Sequence, residues 1–207
     1  VLNCSNGGGV NKEKWDATVS TILAQCSKDA VVQEVIRQSP EMAQFNPSSL
    51  NTLRVTSLYL NGRFSICSII LRMGKSGSVV DNWNAGGILL GVSLDGQLHE
   101  FGYDVAYNRF ADVNGIRFAE TRLACVPALL RLIEDAHTTR FSLCKLIGWD
   151  IAYEEGGRPV LIEVNSSQPG VFGEQFCTGP IFGDRTDEVI AYCRSKPFSY
   201  GRALASY

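Results

Sequence analysis

The stretch that most constrains this chain is residues 146–170, LIGWDIAYEEGGRPVLIEVNSSQPG. Ile147, Trp149, Ile151 and Tyr153 alternate with Gly148, Asp150 and Ala152. Beyond a glycine pair, Val160, Ile162 and Val164 alternate with Leu161, Glu163 and Asn165. Successive side chains of a strand point to opposite faces, so each arm has a bulky apolar face, and the polar groups sit on the other. Gly156-Gly157 suits a two-residue type I′ turn, in which both central residues need φ > 0. That turn pairs Glu155 with Arg158, and counting outward sets Asp150 opposite Glu163 and Gly148 opposite Asn165. Directly opposed residues have Cβ atoms about 4.5–5.5 Å apart, where like charges repel. The pair calls for a cation. Two carboxylates and an amide oxygen are hard donors, suited to Mg²⁺ and poorly suited to zinc. Gly148 and Ala152 flank the aspartate on its own face and leave room for a ligand.

A second hairpin is predicted over residues 52–60 and 63–73, because Asn61-Gly62 separates two alternating apolar runs. It carries Arg54 and Arg72. A strictly two-residue turn puts these arginines on opposite faces, whereas a bulge would bring them together; the residues alone leave both arrangements open.

The rest of the chain reads as follows. Gly7, Gly8 and Gly9 form a loop able to close backbone N–H groups around phosphate, although a plain connection fits them equally. Residues 12–25 form a helix with Trp15, Val19, Ile22 and Leu23 on one face, and 29–36 a short strand. Residues 39–50 are a Pro- and Ser-bearing connection, which sets a boundary between parts 1–48 and 49–207. A polar loop, 74–87, contains Asp81, Asn82 and Asn84. Strands 88–94 and 98–103 turn at Asp95-Gly96, and 104–117 is irregular with a turn at Asn114-Gly115. Residues 119–136 are amphipathic and helical, with Pro127 marking a break, a kink or a start. Residues 170–184 form a glycine-rich closing loop, and 186–195 a last helix.

Composition narrows the function. The net charge of −2 provides no electrostatic footprint for nucleic acid. No apolar run approaches the ~20 residues of a membrane span. The cysteines number seven, scattered and without C-x-x-C, so reduced thiols in a cytoplasmic protein are expected rather than a disulfide framework or zinc ribbon. His99 and His137 share no ligand spacing. The start at Val1 reads as mid-strand, and a fragment is expected.

The order of a Gly-rich loop, VVQEVI, NTLRV, an arginine-bearing strand, DNWNAGG, GWDIAY and VLIEVNSSQPG resembles the ATP-grasp ligases. The likeness is to sugar-transfer-associated ATP-grasp proteins and to glutamate ligases that modify ribosomal protein. D-alanine–D-alanine ligase, more distant, shares the final hairpin. The resemblance implies an α+β fold: the end of a first ATP-grasp subdomain, then a complete C-terminal subdomain with an antiparallel sheet and packed helices. ATP would lie between the subdomains. It implies that Asp150, Glu163 and Asn165 hold Mg²⁺ on the ATP phosphates, and that Gln33, Glu34 and Ile36 hold adenine and ribose. Arg72 matches an arginine that neutralises the transferring phosphate, and Arg54 faces nucleotide or acceptor. Asn82 and the Gly86-Gly87 turn match the loop beside the γ-phosphate.

The activity implied is ATP-driven joining of a carboxylate to an amine through an acyl-phosphate. The substrates implied are small molecules, sugar- or peptide-linked, with a substrate domain upstream. Two features depart from the pattern. Asn3 stands where such proteins carry a phosphate-binding lysine, and no His-Pro pair precedes the long helix. The alternative reading is a degenerate, non-catalytic nucleotide-binding module.

Overall fold

In a computed structural model, the structure describes residues 12–25, 34–74, 83 and 86–196. The chain forms two compact units that divide between Arg37 and Gln38. In the first lies helix α1 (Lys12–Gln25). Residues 34–37 have no regular structure. The strand expected over 29–36 is therefore absent at its C-terminal end, where no ladder bonds form, and its beginning lies outside the described residues.

The second unit is built on one antiparallel sheet. Its strands are β1 (Thr52–Leu60), β2 (Arg63–Met73), β3 (Ile88–Val92), β4 (Leu98–Tyr103), β5 (Arg109–Phe110), β8 (Leu146–Tyr153) and β9 (Pro159–Asn165), in the order β5-β4-β3-β2-β1-β8-β9. A small ribbon, β6 (Asp112–Val113) with β7 (Ile116–Arg117), closes around Asn114-Gly115. With α1, this establishes a mixed α+β protein. Helices are α2 (Pro40–Ala43), α3 (Val126–Thr139), α4 (Phe172–Thr178) and α5 (Thr186–Arg194). Helix α3 begins at Val126 with Pro127 in its first turn, where a missing N–H costs nothing; of the outcomes left open for Pro127, this is the start. Residues 170–184 are not simply a loop, because they contain α4 and a 3₁₀ turn, Gly183–Arg185.

The two faces of the sheet differ in chemistry. One carries Leu53, Val55, Ile69, Leu71, Met73, Leu90, Ile147, Trp149 and Ile151, all buried with Met42, Phe45, Phe118, Leu129 and Ile133. Burying each such side chain stabilises by about 1.5–3 kcal/mol. Helix α3 covers this face through Val126, Leu129, Ile133 and His137, spaced three to four residues apart as a helix stripe requires. The opposite face carries α4 over β2 and β3.

Inside the apolar layer lies one polar relay. The Cys144 carbonyl accepts from His137 Nε2 at 3.0 Å, which leaves Nδ1 to accept from Ser57 Oγ at 2.7 Å, while Trp149 Nε1 donates to Ser57 Oγ at 2.7 Å. The relay is satisfied by neutral histidine. Burial lowers the His137 pKa, the Cys144 carbonyl opposes this, and Lys145 adds to the lowering. A depressed histidine pKa leaves stability complete above the unfolded value near 6.5 and removes it as pH falls toward the folded pKa. Urea unfolding at pH 7.5 and pH 5 should therefore show lower stability at pH 5. In a His137→Gln protein that pH-dependent part should shrink; an unchanged difference between the two pH values would refute the assignment.

Candidate functional site

The site is assembled by two β-bulges. In the β1–β2 hairpin, Asn61 (φ 52°) and Gly62 (φ 75°) form the expected two-residue turn, and Leu60 pairs with Arg63 out to Ser57 with Ile66. The register then shifts. Thr56 pairs with Ser68 and Thr52 with Arg72, so Cys67 is the extra residue. A one-residue insertion exchanges the faces of everything beyond it. Arg72 thereby joins Thr52 and Arg54 on the polar face, and of the two arrangements the sequence allowed, the bulged one is realised.

The β8–β9 hairpin has the opposite history. Asp150 does face Glu163, and Gly148 faces Asn165, but not through the expected turn. Glu154, not Glu155, pairs with Arg158: Glu154 N donates to Arg158 O at 3.1 Å and Gly157 N to Glu154 O at 2.7 Å. The loop has three residues, 155–157, with only Gly157 at positive φ (76°). This is the turn-plus-left-handed-residue hairpin instead of type I′. A bulge at Ile162 then restores the register, since Ile151 faces Leu161 while Asp150 faces Glu163. The two departures cancel at Asp150. Beyond the bulge they do not, so Leu161, expected on the polar face, pairs with apolar Ile151, and Val160 pairs with Ala152.

Arg54 stands directly across from Asp150 in the β1–β8 ladder. Its Nε donates to Asp150 Oδ1, and its Nη2 donates to Oδ2 at 2.7 Å. Arg72 Nη1 reaches the same Oδ2 at 3.2 Å. Two guanidinium groups thus share one carboxylate that is 4% exposed. Gly148 lies alongside: a Cβ there would be in ordinary contact with Arg54 Cδ at 3.5 Å and slightly tight against Pro169 Cβ at 3.3 Å. The space beside the aspartate is taken up by the arginine stem.

A fourth charge enters from α4, which sequence reasoning missed. Glu174, also 4% exposed, places Oε1 3.7 Å from Arg54 Nη1. Burial pulls the Arg54 pKa down, but hydrogen bonding and charge attraction to Asp150, with Glu174 and Glu163 adding, outweigh it and raise the pKa overall. Burial pushes the Glu174 carboxyl up, against the pull of its own backbone N–H and of Arg54. Close approach at two glycines seats α4 on the sheet. A Cβ on Gly173 would approach Leu89 Cδ1 to 2.6 Å, and one on Gly91 would approach the Cys177 carbonyl to 2.8 Å.

Polar atoms without partners also gather on this face. Among buried side chains, Thr56 Oγ1, Ser68 Oγ, Asn165 Nδ2 and Glu174 Oε1 have no hydrogen-bond partner. Buried polar groups are normally satisfied, and these four stand as exceptions on this face. Among the described residues no three His, Cys, Asp or Glu side chains cluster to hold a metal ion by themselves. Burial pushes the Cys67 thiol up to about 11 and Cys125 and Cys177 to about 12. None is a thiolate near neutral pH.

Of the other residues singled out from sequence, Gln33 and Asn82 lie outside the described residues. Glu34 and Ile36 lie in the first unit, Glu34 exposed and Ile36 half-buried. Gly86 (φ 88°) donates its N–H to the Trp83 carbonyl at 2.9 Å and, with Gly87, leads into β3, where Leu89 pairs with Arg72.

Two arginines, opposed carboxylates and an asparagine thus gather on one face of the sheet. The sequence matches the family described as sugar-transfer associated ATP-grasp over residues 5–190, and the chain belongs to that family. ATP-grasp proteins are in general ATP-dependent and ligase-like. No curated protein and no solved structure matches the chain. Among the described residues no helix is long and apolar enough to cross a membrane.

Proposed function

We propose that this chain is an ATP- and Mg²⁺-dependent ligase that joins a carboxylate to an amine through an acyl-phosphate. The observation that carries the reading is the gathering of Arg54, Arg72, Asp150, Glu163 and Asn165 on one sheet face. Phosphoryl transfer needs positioning and charge stabilisation more than a covalent catalyst, and these residues supply both.

Asp150, Glu163 and Asn165 have the right chemistry for Mg²⁺, being two carboxylates and an amide oxygen. They fit Mg²⁺ carried on phosphates better than a bare ion. A bare ion would have to pull Asp150 away from two guanidinium groups, whereas phosphate oxygens give Arg72 a replacement anion. When bound, the ion would neutralise developing charge on the phosphates. Arg72 then orients the transferring phosphate, and Arg54 lies toward nucleotide or acceptor. Gln33, Glu34 and Ile36 would hold adenine and ribose, and Asn82 with Gly86 and Gly87 would lie beside the γ-phosphate. In this reading residues 1–48 complete a nucleotide-binding subdomain and 49–207 carry the metal and phosphate site. The substrates are sugar- or peptide-linked, and the setting is cytoplasmic.

Glu163 is exposed, so its loss separates ligand binding from folding. Calorimetry of Mg·ATP binding should show Glu163→Ala weakened at least as much as the roughly 10–100-fold seen for outer-shell partners of a metal, with the unfolding midpoint unmoved. Equal affinity in both proteins would end the metal assignment. The second reading, a nucleotide-binding module without turnover, rests on Asn3 in place of a lysine. Tight Mg·ATP binding without phosphate release, across a panel of amino acids and sugar-linked carboxylates, would favour it.

A further inference from the structure

Asp150 and Glu174 share Arg54 very unequally. Asp150 accepts hydrogen bonds from two nitrogens of Arg54 and one of Arg72. Glu174 Oε1, equally buried, lies 3.7 Å from Arg54 Nη1 and has no hydrogen-bond partner. A buried carboxylate oxygen left short of donors is costly, and an apolar residue of similar volume would stabilise the closed site better. The fold nevertheless delivers it. Gly173 lets α4 settle against Leu89, and the next residue is Glu174.

We propose that Glu174 is a positioning residue that provides a second seat for Arg54. When Asp150 turns to a Mg²⁺-bearing phosphate group, Arg54 Nη1 closes the gap to Glu174 Oε1 and keeps a counter-anion. Arg72 has the phosphate to go to; Arg54, opposite Asp150 in the ladder, needs an anion of its own. The motion is small, because the gap exceeds an ordinary N–H···O distance of 2.7–3.2 Å by less than about 1 Å. The groups facing Arg54 are Asp150 on β8, Glu163 on β9, Glu174 on α4 and, sharing Asp150, Arg72 on β2. Glu163 is exposed and Asp150 is the group to be released, so Glu174 is the buried alternative. The inference rests on Asp150 being a metal ligand only for its timing, not for the exchange itself.

The exchange can be tested without any ligand. In the unliganded chain, Glu174→Gln should shift the thermal midpoint by less than about 2 °C, because Arg54 stays on Asp150. In an Asp150→Asn background Glu174 becomes the seat, and the same change should lower the midpoint by a further ~5 °C or more. Strictly additive shifts would overturn the proposal. A second arm measures Mg·ATP affinity. Glu174→Gln should weaken binding by about tenfold, an effect that disappears when Arg54→Ala is already present; an equal effect with and without Arg54 overturns the proposal as well. If the parent chain binds no Mg·ATP, the ligase reading fails and the stability cycle still decides this one. If Asp150→Asn does not fold, the affinity cycle decides it.

Discussion

Asp150→Ala should lower the stability of the chain by about 3 kcal/mol, the low end of the range for removing one partner of a buried ion pair. Asp150 anchors two guanidinium groups whose side chains are only 16% and 20% exposed. Removing it leaves both in a low-dielectric setting without their shared anion. The loss stays at the low end because Glu174 lies within reach of Arg54. For a chain of this size such a loss corresponds to roughly 6–12 °C in the unfolding midpoint. Glu163→Ala is the internal control: it removes the opposed carboxylate of the same hairpin, but an exposed one, and should stay within about 0.5 kcal/mol. Thermal and urea unfolding of the two variants side by side give the answer. Two equally small losses would mean that Asp150 is not the anchor of the site.

Deleting Cys67 together with Ser68 should be more severe. Cys67 is the extra residue, so its removal alone leaves the pairs from Thr56 with Ser68 to Thr52 with Arg72, and hence every face, in place; that variant should fold. With Ser68 gone as well, the strand beyond Ile66 must present its other face. Ile69, Leu71 and Met73 would leave the core, and Ile70 and Arg72 would enter it. A net loss of two buried apolar side chains at about 1.5–3 kcal/mol each, together with a guanidinium buried among apolar groups at a cost of several kcal/mol, reaches the 5–15 kcal/mol that holds a typical domain together. The expected product is a collapsed chain without a cooperative unfolding transition. The single deletion is the control, so the comparison isolates the facing of the strand from the loss of a residue. Retention of a cooperative transition near the parent midpoint by the double deletion would show that the sheet can absorb the shift elsewhere.

Those contrasts also explain what was legible in the sequence. The two hairpins and the opposition of Asp150 to Glu163 could be read from period-two alternation and turn residues. The gathering of Arg54 with Arg72 could not be settled that way. Phe64, Ile66, Ile69, Leu71 and Met73 contain a phase slip that marks the bulge, but Ile70 is also apolar and hides it. At the other hairpin a wrong turn and an unseen bulge compensated, so the right pairing was reached by a route the backbone does not take. Glu174 was illegible for a different reason. Seven residues of helix between glycines, following Pro169-Gly170, carry too short a periodic signal, and the helix exists because α4 packs on β2 and β3. Tertiary packing, not local propensity, places that carboxylate.

One further demand falls on β9. Among the described residues it is one of the two edge strands of the sheet, β5 being the other, and it exposes Leu161 and Ile162. An apolar edge is an invitation to pair with another chain. Pro159 at its start, the bulge at Ile162 and the outward charge of Glu163 are all features that discourage such pairing. The carboxylate proposed to meet the cation therefore also guards against self-association, and chains that lose it would remain folded yet become more prone to aggregate.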